Sequence, residues 1–215
     1  MMQKQILLFD LDGTLTDSAP GIIHSAIYAL ESFGIHADPA DLRKFIGPPL
    51  SQSFEEFYGF SKTQATEAVK KYREYFAEKG IFENEPYPGI EAILRQLQQN
   101  GKRLLVATSK PEVFAKRILE HFSLSAYFEG ITGSELDGTR TDKAEVIAYA
   151  LQKAGIHEKE TAVMIGDRKH DILGAQKNGL ESIGVLYGYG SREELELAGA
   201  TQIVLSPLEL LRILP

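Results

Sequence analysis

Apolar residues fall along this chain in two alternating spacings. Short unbroken runs rich in Val, Ile and Leu occur at Gln5–Phe9, Arg103–Ala107, Thr161–Ile165, Ser182–Leu186 and Thr201–Leu205, with a weaker one at Tyr127–Thr132. Their length and bounded ends are those of buried strands. Between them apolar positions recur every three or four residues: Ile90, Ile93, Leu94 and Leu97; Val113, Phe114, Ile118 and Leu119; Val146, Ile147, Ala150 and Leu151. That is the spacing of one helix face. Strand and helix alternating in this way predict an α/β fold, with a parallel sheet covered by helices on both faces.

One stretch breaks the alternation. From about Asp17 to about Glu85 only helical patterns appear: Ile22, Ile23, Ala26, Ile27, Leu30 and Phe33, then Phe54, Phe57 and Tyr58, then Val69, Tyr72, Tyr75 and Phe76. A connection of about 70 residues is too long for a loop. It predicts a helical unit at residues 16–85, inserted between core segments 1–15 and 86–215. Thr16-Asp17-Ser18 can cap a helix start, and Pro86-Tyr87-Pro88-Gly89 is a stiff, turn-prone return. Tyr72, Tyr75 and Phe76 share a helix face and are expected inside the insert. Phe45-Ile46-Gly47-Pro48-Pro49 reads either as an interhelical turn or as a rigid segment overhanging a ligand.

Composition narrows the chemistry. The 215 residues are 43% hydrophobic, enough for one large domain or two modest ones with a core, and 30 acidic against 23 basic side chains give a formal charge of −7. An acidic balance argues against sequence-independent nucleic-acid binding, which depends on basic residues that displace counterions. The absence of cysteine excludes disulfides, thiolate nucleophiles, cysteine-ligated zinc and iron–sulfur clusters. Apolar runs such as Ile6-Leu7-Leu8-Phe9 are too short for a membrane helix and follow no basic-then-apolar leader, so a cytoplasmic protein without membrane or nucleic-acid partners is expected.

In open parallel sheets ligands bind beyond the carboxyl ends of the strands. Here those ends carry Asp10 and Asp12, Thr108-Ser109-Lys110, Asp142-Lys143, and Gly166-Asp167 with Asp171. Two residues apart on a strand, Asp10 and Asp12 project to the same side. Singly, each could be a cap or an Asx turn. With Asp167 and Asp171, however, unit charges about 4 Å apart would repel by roughly 4 kcal/mol at an effective dielectric of 20, which calls for a cation. Oxygen donors without cysteine suit a hard ion such as magnesium better than zinc. Asp142 and Glu145 have capping-box spacing, which puts Lys143 at the positive end of a helix, either as an anion clamp or as a solvated lysine. Lys110, before Pro111, is likewise either a ligand contact or solvated. His170 stands poorly as a metal ligand beside so many oxygens. Gly188-Tyr189-Gly190-Ser191 lacks the dinucleotide fingerprint and reads as a tight turn bordering the cleft.

Asp10-Leu11-Asp12-Gly13-Thr14, the strand ending in Thr108, Lys143, and Gly166-Asp167 with Asp171 together resemble the haloacid dehalogenase superfamily, and within it the phosphoglycolate phosphatase-like and 5′-nucleotidase-like members with a helical cap. The resemblance spans nearly the whole chain. It implies a Mg²⁺-dependent phosphatase for small phosphate monoesters, working through an aspartyl-phosphate beneath a cap that opens and closes. Asp10 would be the nucleophile, and Asp12 the general acid and then the general base. The metal would be held by Asp10, Asp167 and the backbone carbonyl of Asp12, supported by Asp171. Thr108 and Lys143 would hold the phosphoryl oxygens, with Ser109 and Gly13 as further substrate contacts. A phosphomutase of the β-phosphoglucomutase type, or a pyrophosphatase, would use the same core residues; a non-catalytic phosphate-binding module would bind without turnover. A hydrolytic dehalogenase would need neither Asp12 nor magnesium. The substrate is expected to be a small molecule, and the protein a monomer or weak homodimer.

Overall fold

A computed structural model describes residues 4–215, so the first three positions of the expected core segment lie outside the described residues. The chain divides into two compact units, one made of the described residues through Thr16 together with Pro86–Pro215, the other of Asp17–Glu85. In chain order the elements are β1 (Ile6–Phe9), β2 (Thr16–Asp17), α1 (Ala19–Glu31), α2 (Leu50–Tyr58), α3 (Lys62–Glu78), β3 (Glu85–Pro86), α4 (Ile90–Gln99), β4 (Arg103–Pro111), α5 (Glu112–His121), β5 (Gly130–Ser134), α6 (Lys143–Lys153), β6 (Ala162–Gly166), α7 (Lys169–Lys177), β7 (Glu181–Val185), α8 (Arg192–Leu197), β8 (Gln202–Val204) and α9 (Pro207–Ile213). Short 3₁₀ turns complete the set, among them Pro39–Phe45 in the helical unit. The short pieces β2 and β3 pair where the chain passes between the units.

The larger unit is an α/β fold. Its six strands lie in the order β5-β4-β1-β6-β7-β8, and every pairing is parallel. Parallel strands covered on both faces must be apolar on both, and all four residues of β1 are buried. One face carries Ile6, Leu8, Leu105, Ala107, Ala162 and Met164, packed with Val146, Ile147, Ala150 and Leu151 of α6. The alternate residues Leu7, Phe9, Leu104, Val106, Val163 and Ile165 are buried as well.

Strand β4 outruns its expected end. Leu105–Ala107 pair with Gly130–Thr132, but the next paired residue is Pro111 opposite Ser134. Four steps along β4 therefore match two along β5, a bulge of the kind that re-aims side chains at sheet rims. Thr108, Ser109 and Lys110 occupy it, held where Ser134 Oγ donates to Ser109 O (2.8 Å) and Lys110 N donates to Thr108 Oγ1 (3.2 Å).

The helical unit has its own core. Ala65, Ala68, Tyr72 and Phe76 of α3 are buried, as are Ile22, Ala26 and Leu30 of α1 and, from the segments between, Leu42, Phe45, Ile46 and Phe54. Phe45 meets Phe54 edge-on at 5.0 Å, and Tyr72 stacks on Phe76 at 5.6 Å. Tyr75 of the expected stripe is half-buried instead, and its hydroxyl donates to Glu83 (3.0 Å). The Phe45–Pro49 segment joins the 3₁₀ turn to α2. Among the described residues no helix is long and apolar enough to cross a membrane.

Candidate active site

The strand order puts β1 between β4 and β6, so the ends of these three strands converge at the centre of one sheet edge. Asp10 directly follows β1 and its N–H donates to Ile165 O (2.9 Å), which continues the ladder one residue past the strand. Asp167 follows β6, and Asp171 lies in the first turn of α7. One oxygen from each of Asp10, Asp167 and Asp171 falls within 4.8 Å of the others, and all three side chains are buried.

Lys143 enters the cluster from the first turn of α6. Its Nζ lies 2.8 Å from Asp10 Oδ1 and 2.8 Å from Asp171 Oδ1, and donates to Ala107 O at 3.1 Å. The two carboxylate contacts are close ion pairs that lack hydrogen-bond alignment. The solvated-lysine reading is thereby corrected, since Lys143 is only 6% exposed. The capping-box expectation is corrected too: Asp142 caps α6 by accepting from Ala144 N (2.7 Å), two residues on, with no reciprocal bond from Glu145. An ammonium at a helix start loses some favourable dipole interaction, but two carboxylates more than offset it. Burial works against the Lys143 charge, yet Asp10 and Asp171 outweigh it and hold the ammonium above the ordinary lysine value.

Three acids against one ammonium leave an excess of negative charge. Burial pushes the Asp10 carboxyl up to about 6, with Lys143 opposing and Asp171 and Asp12 reinforcing the rise. Burial, with Asp171 and Asp10 nearby, holds Asp167 well above the carboxylate range, while the amide of Tyr189 opposes. Asp167 Oδ1 is buried and accepts no hydrogen bond. An orphaned carboxylate oxygen facing two other acids is costly without a cation. Hard oxygens without sulfur fit a divalent ion of the magnesium or calcium kind.

The Gly188–Gly190 turn does more than border the cleft. Tyr189 N donates to Asp167 Oδ2 at 2.8 Å. A Cβ at Gly188 would strike both Gly13 O and the Asp167 side chain, and one at Gly13, whose φ is +81°, would strike the Asp167 carboxylate. Both glycines are therefore required by close approach, and Gly13 also by its backbone. The turn after Asp12 is closed by Gly13 N donating to Thr16 O (2.8 Å). Farther out, Glu194 of α8 accepts from Arg168 Nε (2.9 Å) and Lys169 N (2.8 Å), and Arg168 N donates to Asp171 Oδ2 (3.1 Å). Glu194 thus braces the turn that separates Asp167 from Asp171. No local pattern marked it, because an acid in the first turn of a helix reads as an ordinary dipole partner.

Asp12 stands apart from the three-acid cluster and is paired with Lys110, Nζ to Oδ2 at 2.7 Å. Lys110 was expected either at a ligand or in solvent; its side chain is 6% exposed. The bulge in β4 carries it there, and nothing in the spacing of Thr108-Ser109-Lys110-Pro111 encodes that bulge. Thr108 is buried and Ser109 half-buried on the same edge. His170 is half-buried beside Asp171, and burial lowers its pKa.

Residues 7–185 match the family described as haloacid dehalogenase-like hydrolase. A 5′-nucleotidase of Pseudomonas aeruginosa is 52% identical over 190 residues, covering 88% of this chain and 86% of its own. The tyrosine-protein kinase PtkA of Mycobacterium tuberculosis is 40% identical over 200 residues, covering 93% of this chain and 68% of its own. The crystal structure of a predicted phosphatase from Clostridium acetobutylicum, 53% identical, covers 98% of both chains with a TM-score of 0.95. Fold, acid cluster and sequence kinship converge: the chain belongs to the haloacid dehalogenase-like hydrolases, as a phosphoric monoester hydrolase.

Proposed function

We propose that the protein is a Mg²⁺-dependent phosphatase of small phosphate monoesters, of the 5′-nucleotide or phosphoglycolate type, that works through an aspartyl-phosphate on Asp10. The observation that carries this reading is the buried cluster of Asp10, Asp167 and Asp171 around Lys143 at one sheet edge. Asp10 and Asp167, with the Asp12 carbonyl and Asp171 in support, would hold Mg²⁺, which when bound supplies positive charge against the phosphoryl oxygens.

An Asp10 oxygen attacks phosphorus, and Asp12 protonates the departing ester oxygen. Lys143 and the Thr108 hydroxyl hold phosphoryl oxygens where charge gathers, with Ser109 and the Gly13 turn beside them. Burial of the cluster strengthens each of these interactions by excluding water. Asp12 then takes the proton of the water that releases phosphate from Asp10. The helical unit, Asp17–Glu85, is assigned the choice of substrate. The kinship with a 5′-nucleotidase supports nucleoside 5′-monophosphates as first candidates.

The test is phosphate release from a panel of nucleoside monophosphates, phosphoglycolate, sugar phosphates and pyrophosphate, with Mg²⁺ and with chelator. Mg²⁺-dependent release from at least one monoester is expected. Release no faster than from the Asp10→Asn variant, or indifference to chelator, would refute the reading.

A further inference from the structure

We infer that Lys110 is a positioning residue for Asp12, fixing which of its two oxygens exchanges protons in the reaction. Lys110 Nζ ties down Asp12 Oδ2 at 2.7 Å, with side-chain exposures of 6% and 16%. The other oxygen, Asp12 Oδ1, is buried and accepts no hydrogen bond. A carboxylate bound at one oxygen and unfilled at the other has a single place to take up a proton. The tether is built into the strand. The β4 surplus between Ala107 and Pro111 carries Lys110; its own N–H is bonded to Thr108 Oγ1, and the neighbouring Ser109 carbonyl to Ser134 Oγ. A lysine fixed by its backbone in this way restricts the carboxylate it binds, which is how a supporting residue contributes to rate through geometry.

This inference rests on the proposed role of Asp12. In the first half-reaction an Asp10 oxygen bonds to phosphorus, and the bond from phosphorus to the ester oxygen breaks. That electron pair stays on the ester oxygen, which takes the Asp12 proton. In the second, a water oxygen bonds to phosphorus and the phosphorus–Asp10 bond breaks, its electron pair returning to Asp10. The water's proton goes to Asp12 Oδ1, restoring the acid. In the second half-reaction Asp12 Oδ1 must also aim the attacking water at phosphorus, so the orientation that Lys110 fixes through Oδ2 matters most there. Loss of Lys110 therefore falls mainly on dephosphorylation.

The experiment compares Lys110→Met, Lys110→Gln, Lys110→Arg and Asp12→Asn with the unmodified protein by rapid-mixing kinetics on p-nitrophenyl phosphate with Mg²⁺. This ester leaves readily, so its first half-reaction leans little on acid assistance. Met and Gln should slow dephosphorylation about 10- to 100-fold, within the span of acid–base effects. A burst of p-nitrophenol equal to the enzyme present should appear, KM should not rise, and Arg should restore most of the rate. Gln, which keeps a polar head, carries the readout if Met does not fold. Unchanged kcat and no burst in both, a loss confined to a higher KM, or equal slowing of both half-reactions would overturn the role of Lys110. Normal turnover by Asp12→Asn would instead overturn the acid–base reading beneath it.

Discussion

Lys143 Nζ lies 2.8 Å from Asp10 Oδ1 in a buried ion pair, and the same ammonium reaches Asp171. Removing one partner of such a pair leaves uncompensated charge in the interior, at about 3–5 kcal/mol. Lys143→Met should therefore lower the melting temperature in chelator, with Mg²⁺ recovering part of the loss. It should also lower kcat/KM by about 10²- to 10³-fold, as expected for loss of an electrostatic contact to the transferring group. Differential scanning calorimetry and steady-state kinetics check the two halves separately.

Asp10→Asn keeps the shape of the side chain and removes one of three clustered negative charges. The variant should fold, and turnover should fall by at least about 10³-fold, as when other enzymes lose a nucleophile. Acid-quenched protein should carry no labile phosphate, which mass spectrometry reads directly.

Metal-free stability should fall as pH rises, the reverse of the usual aspartate pattern. The Asp10 carboxyl sits at about 6 when folded, against an ordinary value of 3.8, and Asp167 is raised as well. Below about pH 4 the folded and unfolded forms are both protonated and these groups contribute no pH dependence. Between about 4 and 6 the unfolded chain is already ionised while the native acids keep their protons, so stability is lost with each step upward. Lys143, raised above its ordinary value, stays charged throughout this window. Chemical denaturation in chelator should show that decline between pH 4 and 7. Mg²⁺ should flatten it, because a cation that binds the ionised native form adds stability where protons no longer do.

Gly188→Ala places a methyl group against Asp167 and the Gly13 carbonyl. Disturbing a group that orients a ligand carboxylate typically weakens metal binding by about 10- to 100-fold. Isothermal titration with Mg²⁺ or Mn²⁺ should show that loss, with little change in the far-ultraviolet circular dichroism. Affinity equal to that of the unmodified protein would mean that the turn yields without moving the acid.

The sheet was legible because its strands are continuous apolar runs, and runs such as Ile6–Phe9 need no tertiary information to be seen. Asp10, Asp167 and Asp171 were legible for a related reason, since each lies at or just past the end of such a run. What escaped were relationships created by irregular backbone. The β4 bulge is recorded only in pairing against β5, so the burial of Lys110 against Asp12 left no trace in local spacing. The cap of α6 formed at Ala144 rather than reciprocally with Glu145, a choice between neighbouring amides that side-chain type does not decide. Tyr189 acts through its amide, and Glu194 through packing of α8 against α7. Neither contact depends on a pattern within its own segment.

The place of β1 in the sheet has a consequence for how the chain reaches its fold. Among the described residues Ile6–Phe9 is the first strand, yet its two neighbours are Arg103–Val106 and Ala162–Ile165. During synthesis its four apolar residues stay unpaired along one edge until Arg103–Val106 has been made, and along the other until Ala162–Ile165 has followed. Such long-range parallel pairing slows folding and prolongs exposure of sticky surface. Substitutions in β1, whose four residues are all buried, should accordingly lower the yield of folded protein in the cell in addition to the stability of the folded molecule.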